Sequence, residues 1–451
     1  MDVESSTSNV EDLKQKVAQL QGDLKKDLIS LVRIRSHLGA EKKKAADKVV
    51  SLLSEAGVHN AQTISLGNSA PLVHGSITVD PIKPTVLLYA HYDVQPPGSW
   101  SEDEAFDPKE KNGRLYGRGA ADDKSGIMMH VGMLRAFGTK PPVNVEFLIE
   151  GEEESGTGSL EEYLDRPENQ DRFVADAYVI ADTGGVAVGS PALTTSLRGI
   201  AQADITVRTL EGPVHSGMYG GPAPDAFMAL CRILATLHDD AGDVAIPGLL
   251  ATKWTGADYP DATTFCHNAG VLPGVPLIGT KSVAQRLYTK PSLNVVGLDS
   301  DLPTTKDSVN ALCPQATARV SIRLVPGQEP AAAVAALREH INRNRPWFLS
   351  VDVVDRGGGS GFEVKTGSKI YAMAEWALKT AYGRAVTSLG QGGSIPLVHK
   401  LQARNENAPV LLWGCEEPAA RIHAPNESVD LGELERMTLA EALFLDELSK
   451  L

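Results

Sequence analysis

Leu87-Leu88-Tyr89-Ala90-His91-Tyr92-Asp93-Val94-Gln95-Pro96-Pro97 is an apolar run that ends in side chains able to hold a cation. Two later stretches are built alike. Tyr116-Gly117-Arg118-Gly119-Ala120-Ala121-Asp122-Asp123-Lys124-Ser125-Gly126 places paired aspartates after a glycine-rich turn. Phe147-Leu148-Ile149-Glu150-Gly151-Glu152-Glu153-Glu154-Ser155 places acids after a second apolar run. The apolar runs, residues 85–90 and 143–149, are short and β-branched or leucine-rich, as buried strands of a parallel sheet are. Ligands bind at the carboxyl ends of such strands, so the three patches are expected to converge on one site.

At 451 residues the chain exceeds one ordinary core, and two domains are expected. No apolar run approaches the ~18 residues of a membrane span, and Met1-Asp2-Val3-Glu4-Ser5-Ser6 lacks the basic-then-apolar pattern of a secretory signal. Net charge is −14, and the one short basic cluster is Glu41-Lys42-Lys43-Lys44, so neither nucleic acid nor a membrane is expected as partner. Cys231, Cys266, Cys313 and Cys415 show no CxxC spacing, which suits free thiols and a cytoplasmic protein.

Read in order, the chain gives helices over 10–32 and 44–56 and strands over 73–79 and 85–90. A helix over 125–137, a strand over 143–149, a helix over 159–164 and a strand over 177–180 follow. The texture then changes. Strand 201–208, helix 223–237, strands 293–298 and 316–324, helix 329–341 and strand 348–354 make β-α-β-β-α-β, the ferredoxin-like split unit. This reads as a domain inserted over 197–357 into a catalytic domain formed by 1–196 and 358–451. Gly357-Gly358-Gly359-Ser360-Gly361 has the composition of a hinge. Helix 369–382, strand 410–413 and helix 431–448 complete the first domain. The expected class is α/β: a catalytic domain with a mainly parallel central sheet, plus the inserted α+β unit.

His91 stands two residues before Asp93, and i and i+2 share a face in an extended segment. Asp93 can therefore orient the imidazole, as carboxylates behind metal-bound histidines do. Asp122 and Asp123 exceed what one helix cap needs. A carboxylate can bridge two cations ~3.5–4 Å apart, and the bridge is assigned to Asp122, with Asp123 holding the loop in an unusual geometry. Glu152, Glu153 and Glu154 would repel one another without a cation among them. One would ligate and another would take a proton from water. Asp182, after strand 177–180, and His423, in a loop of turn residues, are further ligands. Nitrogen plus carboxylate suits zinc, with cobalt or manganese as alternatives.

These patches resemble the di-zinc amidohydrolase superfamily of aminoacylase, carnosinase, cytosolic dipeptidase and glutamate carboxypeptidase, and most of all its carnosinase-like dipeptidase branch. The similarity runs from about Asp23 to the C-terminus. The resemblance implies a zinc-peptidase-like fold with an inserted lid and dimerisation domain. It implies two Zn2+ per subunit, one on His91 and Asp182, the other on Glu154 and His423, with Asp122 between them and Glu153 as general base. In the inserted domain, Pro213-Val214-His215-Ser216-Gly217 resembles the lid motif whose histidine stabilises the oxyanion. Asn310 falls where the family adds a polar contact to that oxygen. Ser321-Ile322-Arg323-Leu324 resembles the stretch whose arginine grips the substrate carboxylate, a task that suits a planar guanidinium. Gly392-Gly393-Ser394 resembles a first-domain loop that binds the same carboxylate by backbone N–H groups. No histidine stands in Phe362-Glu363-Val364-Lys365, where carnosinase-like members carry one.

The expected activity is zinc-dependent exopeptidase hydrolysis of dipeptides or short peptides with a free C-terminal carboxylate, through a metal-bridging water activated by Glu153. An N-acyl-amino-acid deacylase with the same metal site is the alternative. A silent peptide-binding protein on this fold would have lost a ligand or the base, and none of the positions is lost. A homodimer formed through the inserted domain is the expected assembly.

Overall fold

A computed structural model describes residues 3–156, 158–393, 395 and 397–451. The chain opens with α1 (Val3–Val32) and α2 (Gly39–Glu55). On α1 the leucines and valines at helical spacing, Leu13, Val17, Leu24, Leu28 and Leu31, are buried. Helix α2 begins earlier than its apolar pattern suggests, because Lys42 of the basic cluster lies on its buried face. Then come β1 (Leu72–Ile77), β2 (Thr85–His91), α3 (Lys124–Ala136), β3 (Asn144–Glu150), β4 (Ala177–Ile180) and β5 (Ala192–Leu197).

Next is the β-α-β-β-α-β run: β6 (Gly199–Arg208), α4 (Ala226–Ala235), β7 (Ser292–Ser300), β8 (Gln315–Leu324), α5 (Pro330–Asn344) and β9 (Val351–Gly359). The chain closes with α6 (Lys369–Tyr382), β10 (Val410–Leu412) and α7 (Leu431–Leu448).

Two compact units result: Met1–Thr195 with Val364–Leu389 and Leu397–Leu451, and Ser196–Glu363 with Gly390–Pro396. In the first, β2 runs parallel to β3 and to β4, and β10 runs parallel to β4. Strands β1 and β5 pair antiparallel at the two sides, with β3 and β10. The sheet is thus mixed and mainly parallel. Helix α3 packs on β2 and against α1 and α7, and α6 packs on α7. Strands β2 and β4 are buried along almost their whole length, which is why they read as continuous apolar runs rather than alternations.

The second unit has the strand order β7-β8-β6-β9, all antiparallel. One sheet face buries Ala203, Ile205, Val320 and Ile322 against Leu230 and Ile233 of α4 and Leu337 and Ile341 of α5. On the other face Asp204 accepts from Arg319 (2.7 and 2.9 Å) and from Arg356 (2.7 Å).

The glycine run expected as a hinge is a strand end instead. Gly358 pairs with Ala201 and Gly359 with Ile200, beyond a register shift after Asp355. A Cβ at Gly358 would lie 1.9 Å from the Ile200 carbonyl oxygen, so glycine is needed for close backbone approach. No helix of the described residues is long and apolar enough to cross a membrane.

Candidate metal centre

His91 closes β2, and Asp182 lies two residues beyond the parallel neighbour β4. Glu153 and Glu154 follow β3, which flanks β2 on the other side. The sheet alone therefore brings these side chains to one edge. Asp122 arrives on the glycine-rich loop before α3, and its peptide bond to Asp123 is cis. Gly119 in that loop has φ +79°, and a Cβ there would meet Val94 at 2.3 Å.

The two oxygens of Asp122 face two different imidazoles. His91 Nε2 lies 3.0 Å from Oδ1, and His423 Nε2 lies 2.9 Å from Oδ2. Asp182 approaches His91 at 3.8 Å, and Glu154 approaches His423 at 3.1 Å. The ligand atoms of His91, Asp122 and Asp182 fall within 4.8 Å of one another, as do those of Asp122, Glu154 and His423. The His91 Nδ1 donates to the Asp93 carbonyl at 3.1 Å, with the Asp93 carboxylate 3.5 Å away. With Nδ1 committed to Asp93, Nε2 is the ring atom left to face Asp122 and to ligate a cation. The carboxylate of Asp93 also accepts from the Glu154 N–H at 3.1 Å, so Asp93 positions a residue of each group.

Electrostatics agree with a cation-binding cluster. Burial works against charge on Asp122, but bonds from His423 and His91 outweigh it and hold the carboxyl well below the usual range. His423 is raised to about 10 by Asp122 and Glu154. Burial and the neighbouring Asp182 carboxylate push Glu153 up to about 9. The Glu153 carboxylate makes no hydrogen bond or ion pair among the described residues, and the residue is half-buried. Glu152 differs from it: its carboxylate accepts from Ala70 N (2.8 Å) and from Lys42 Nζ (3.1 Å). Two imidazole nitrogens and three carboxylates, arranged as two triads that share one aspartate, fit a pair of zinc-like cations.

Three supporting residues escape a reading of the sequence. Lys42 reaches Glu152, Ser155 (2.9 Å) and Asp93 (3.7 Å). Glu427 is buried. It pairs with Arg118 at 2.8 Å and accepts from the N–H groups of Ala121 (3.2 Å) and Asp122 (3.3 Å). It thereby ties the His423 loop to the Asp122 loop. Burial pushes Glu427 up to about 7. Glu416 is buried, and burial together with Asp122 and Asp182 raises it well above the carboxylate range. Lys42 stood inside a charge run, Glu427 among turn residues, and Glu416 beside a second glutamate, Glu417, so none carried a spacing signal.

The remaining expected residues lie in the second unit. Val214–His215 pairs antiparallel with Ala311–Leu312, and Ser216 N donates to the Asn310 carbonyl at 2.8 Å. His215 and Asn310 are thus close neighbours. The Gly217 N–H donates to His215 Nδ1 at 3.1 Å, which leaves the ring proton on Nε2. Arg323 lies on β8, half-buried and without a carboxylate partner among the described residues. Gly392 and Gly393 belong to the second unit rather than to the first-domain loop expected, and Ser394 lies outside the described residues. Arg198 N donates to the Gln391 carbonyl at 3.1 Å, and Gly390 sits against the Tyr288 ring, which anchors that loop in the second unit.

Residues 87–447 match Peptidase family M20/M25/M40. The chain belongs to that family. The M20 peptidase is 42% identical over 375 residues to the cysteinylglycine-S-conjugate dipeptidase of Corynebacterium striatum, covering 80% of each chain. It is 28% identical over 445 residues to the Beta-Ala-His dipeptidase of Mus musculus, covering 93% of this chain and 89% of that one. Among solved structures, human carnosine dipeptidase 1 matches with a TM-score of 0.82 at 25% identity, covering 98% of this chain and 99% of that chain. The M20 peptidase is therefore a metal-dependent hydrolase with the carnosinase-like dipeptidase fold expected from its sequence.

Proposed function

We propose that the protein hydrolyses dipeptides or short peptides with a free C-terminal carboxylate, using two zinc ions per subunit. His91 and Asp182 would hold one ion, Glu154 and His423 the other, and Asp122 both. The observation that carries this reading is the placement of the two Asp122 oxygens on two separate imidazoles. That the relatives are named as dipeptidases supports the substrate class.

Bound there, divalent cations supply Lewis-acid polarisation and acidify water. Glu153, whose carboxylate has no partner among the described residues, accepts the proton of the attacking water and returns it to the leaving amine. Asp93 keeps His91 in its ligating tautomer. His215, with its proton on Nε2, is assigned the role of donor to the developing oxyanion, and Asn310 is its neighbour in that role. Arg323 and the 392–394 loop are assigned the substrate carboxylate. The insertion over about 197–357 is read as the lid and dimerisation domain, and the metals are read as held by 1–196 with 358–451. Edge strand β7 exposes Val295, Val296 and Leu298, which supports a homodimer through this domain. Free cysteines support a cytoplasmic location.

Chelator-dialysed protein, assayed on Ala-Ala and on N-acetyl-alanine with and without added zinc, tests the reading. Activity should vanish on dialysis, return with zinc and favour Ala-Ala. Hydrolysis of N-acetyl-alanine alone would contradict the dipeptidase reading, and undiminished activity after complete metal removal would contradict the metal site.

A further inference from the structure

Arg198 is buried in the second unit, in the segment that leads into β6. Its guanidinium is surrounded by neutral acceptors. Nη1 donates to the carbonyls of Leu287 (2.7 Å), Lys290 (3.3 Å) and Arg286 (3.4 Å), and Nη2 donates to Ser292 Oγ (2.6 Å). Its Nε has no partner. Among the described residues no carboxylate pairs with it. A buried cation without a counter-ion is costly unless the site uses its charge.

Ser292 begins β7 and stands directly opposite Arg323 of β8. Arg323 is half-buried and likewise has no carboxylate partner among the described residues. The backbone of Arg198 donates to Gln391 in the 390–396 segment. That segment is held close as well, since a Cβ at Gly390 would lie 2.5 Å from the Tyr288 ring. One arginine thus clamps the end of the 283–288 helix, the start of β7 and the glycine-rich loop. Of these, the start of β7 is the register partner of Arg323. Burial, and after it the nearby Arg323 charge, lower Arg198 to about 10.

We propose that Arg198 is a positioning residue for the substrate-carboxylate site: it fixes Ser292 and the 390–396 loop around Arg323 and adds a second uncompensated positive charge that selects a free C-terminal carboxylate. This rests on the assignment of Arg323 to that carboxylate. A lysine at 198 keeps the charge but cannot bond three carbonyls and a hydroxyl in one fork.

The test uses the zinc-loaded full-length protein with Ala-Ala and Ala-alaninamide. Arg198→Lys should raise KM for Ala-Ala about 10-fold or more, the worth of a charge-assisted hydrogen bond, with kcat within about 3-fold. The preference for acid over amide should fall accordingly. Ser292→Ala should move both readouts in the same direction, and it serves if the lysine variant does not fold. If the wild type leaves the amide untouched, the KM-against-kcat split on Ala-Ala decides alone. Parallel loss on both substrates, or a fall in kcat with KM unchanged, would overturn the proposal and leave Arg198 a fold residue. Arg323→Met separates the two claims. If it abolishes the acid preference while Arg198→Lys and Ser292→Ala do not, only the Arg198 inference fails. If Arg323→Met leaves the preference intact, the carboxylate reading itself fails.

Discussion

Glu153 and Glu152 are adjacent and chemically identical, yet their surroundings separate them. Glu152 is spent on Ala70 N and Lys42, whereas Glu153 is unpaired among the described residues and raised to about 9. A carboxylate that no neighbour engages is the one of the two available to take a proton from water and give it up again. Glu153→Gln should therefore lower kcat by about 10²–10⁴-fold while metal content stays at the wild-type value. Elemental analysis beside steady-state rates reads both quantities. Metal loss in this variant would make Glu153 a ligand instead. The ligating types were legible in the sequence because His91-Tyr92-Asp93 and Asp122-Asp123 sit beside strand and turn signals. Glu427 was not, because its contacts reach Arg118 and Asp122 across some three hundred residues of chain.

At the scale of elements, burial decided what could be read. Strand β4, helix α6 and helix α7 were expected with the bounds they have, since continuous apolar runs and caps marked both ends. The glycines of 357–361 misled because glycine serves a flexible linker and a tight strand contact equally well. Only the partner strand β6 tells them apart. That β6 also carries Asp204, which bonds from Arg319 and then Arg356 pull down to about 2. The folded value lies below the ~3.9 of an unfolded chain. Its contribution to stability is thus fully present above about pH 4 and is lost as the pH falls toward about 2. Asp204→Asn should lose less thermal stability than the wild type between about pH 4 and pH 2. An equal or larger drop in the variant would show that the arginine pair does not hold this sheet face.

For the whole molecule, the order of elements was legible because the period-2 and period-3.6 patterns switch cleanly near 197. The grouping of 390–396 with the second unit was not, since it depends on contacts to Arg198 and Tyr288. The homodimer proposal belongs at this scale too. Val296→Lys places a charge on the uncovered edge of β7 and should shift the protein from dimer to monomer in sedimentation velocity. An unchanged dimer would place the interface elsewhere. The central claim is that one aspartate joins two cation sites. Crystals grown with zinc and measured at the zinc absorption edge test it most directly. The account predicts two anomalous peaks about 3.5–4 Å apart, one beside His91 and Asp182 and one beside His423 and Glu154, with Asp122 between them. A single peak, or peaks away from Asp122, would contradict it.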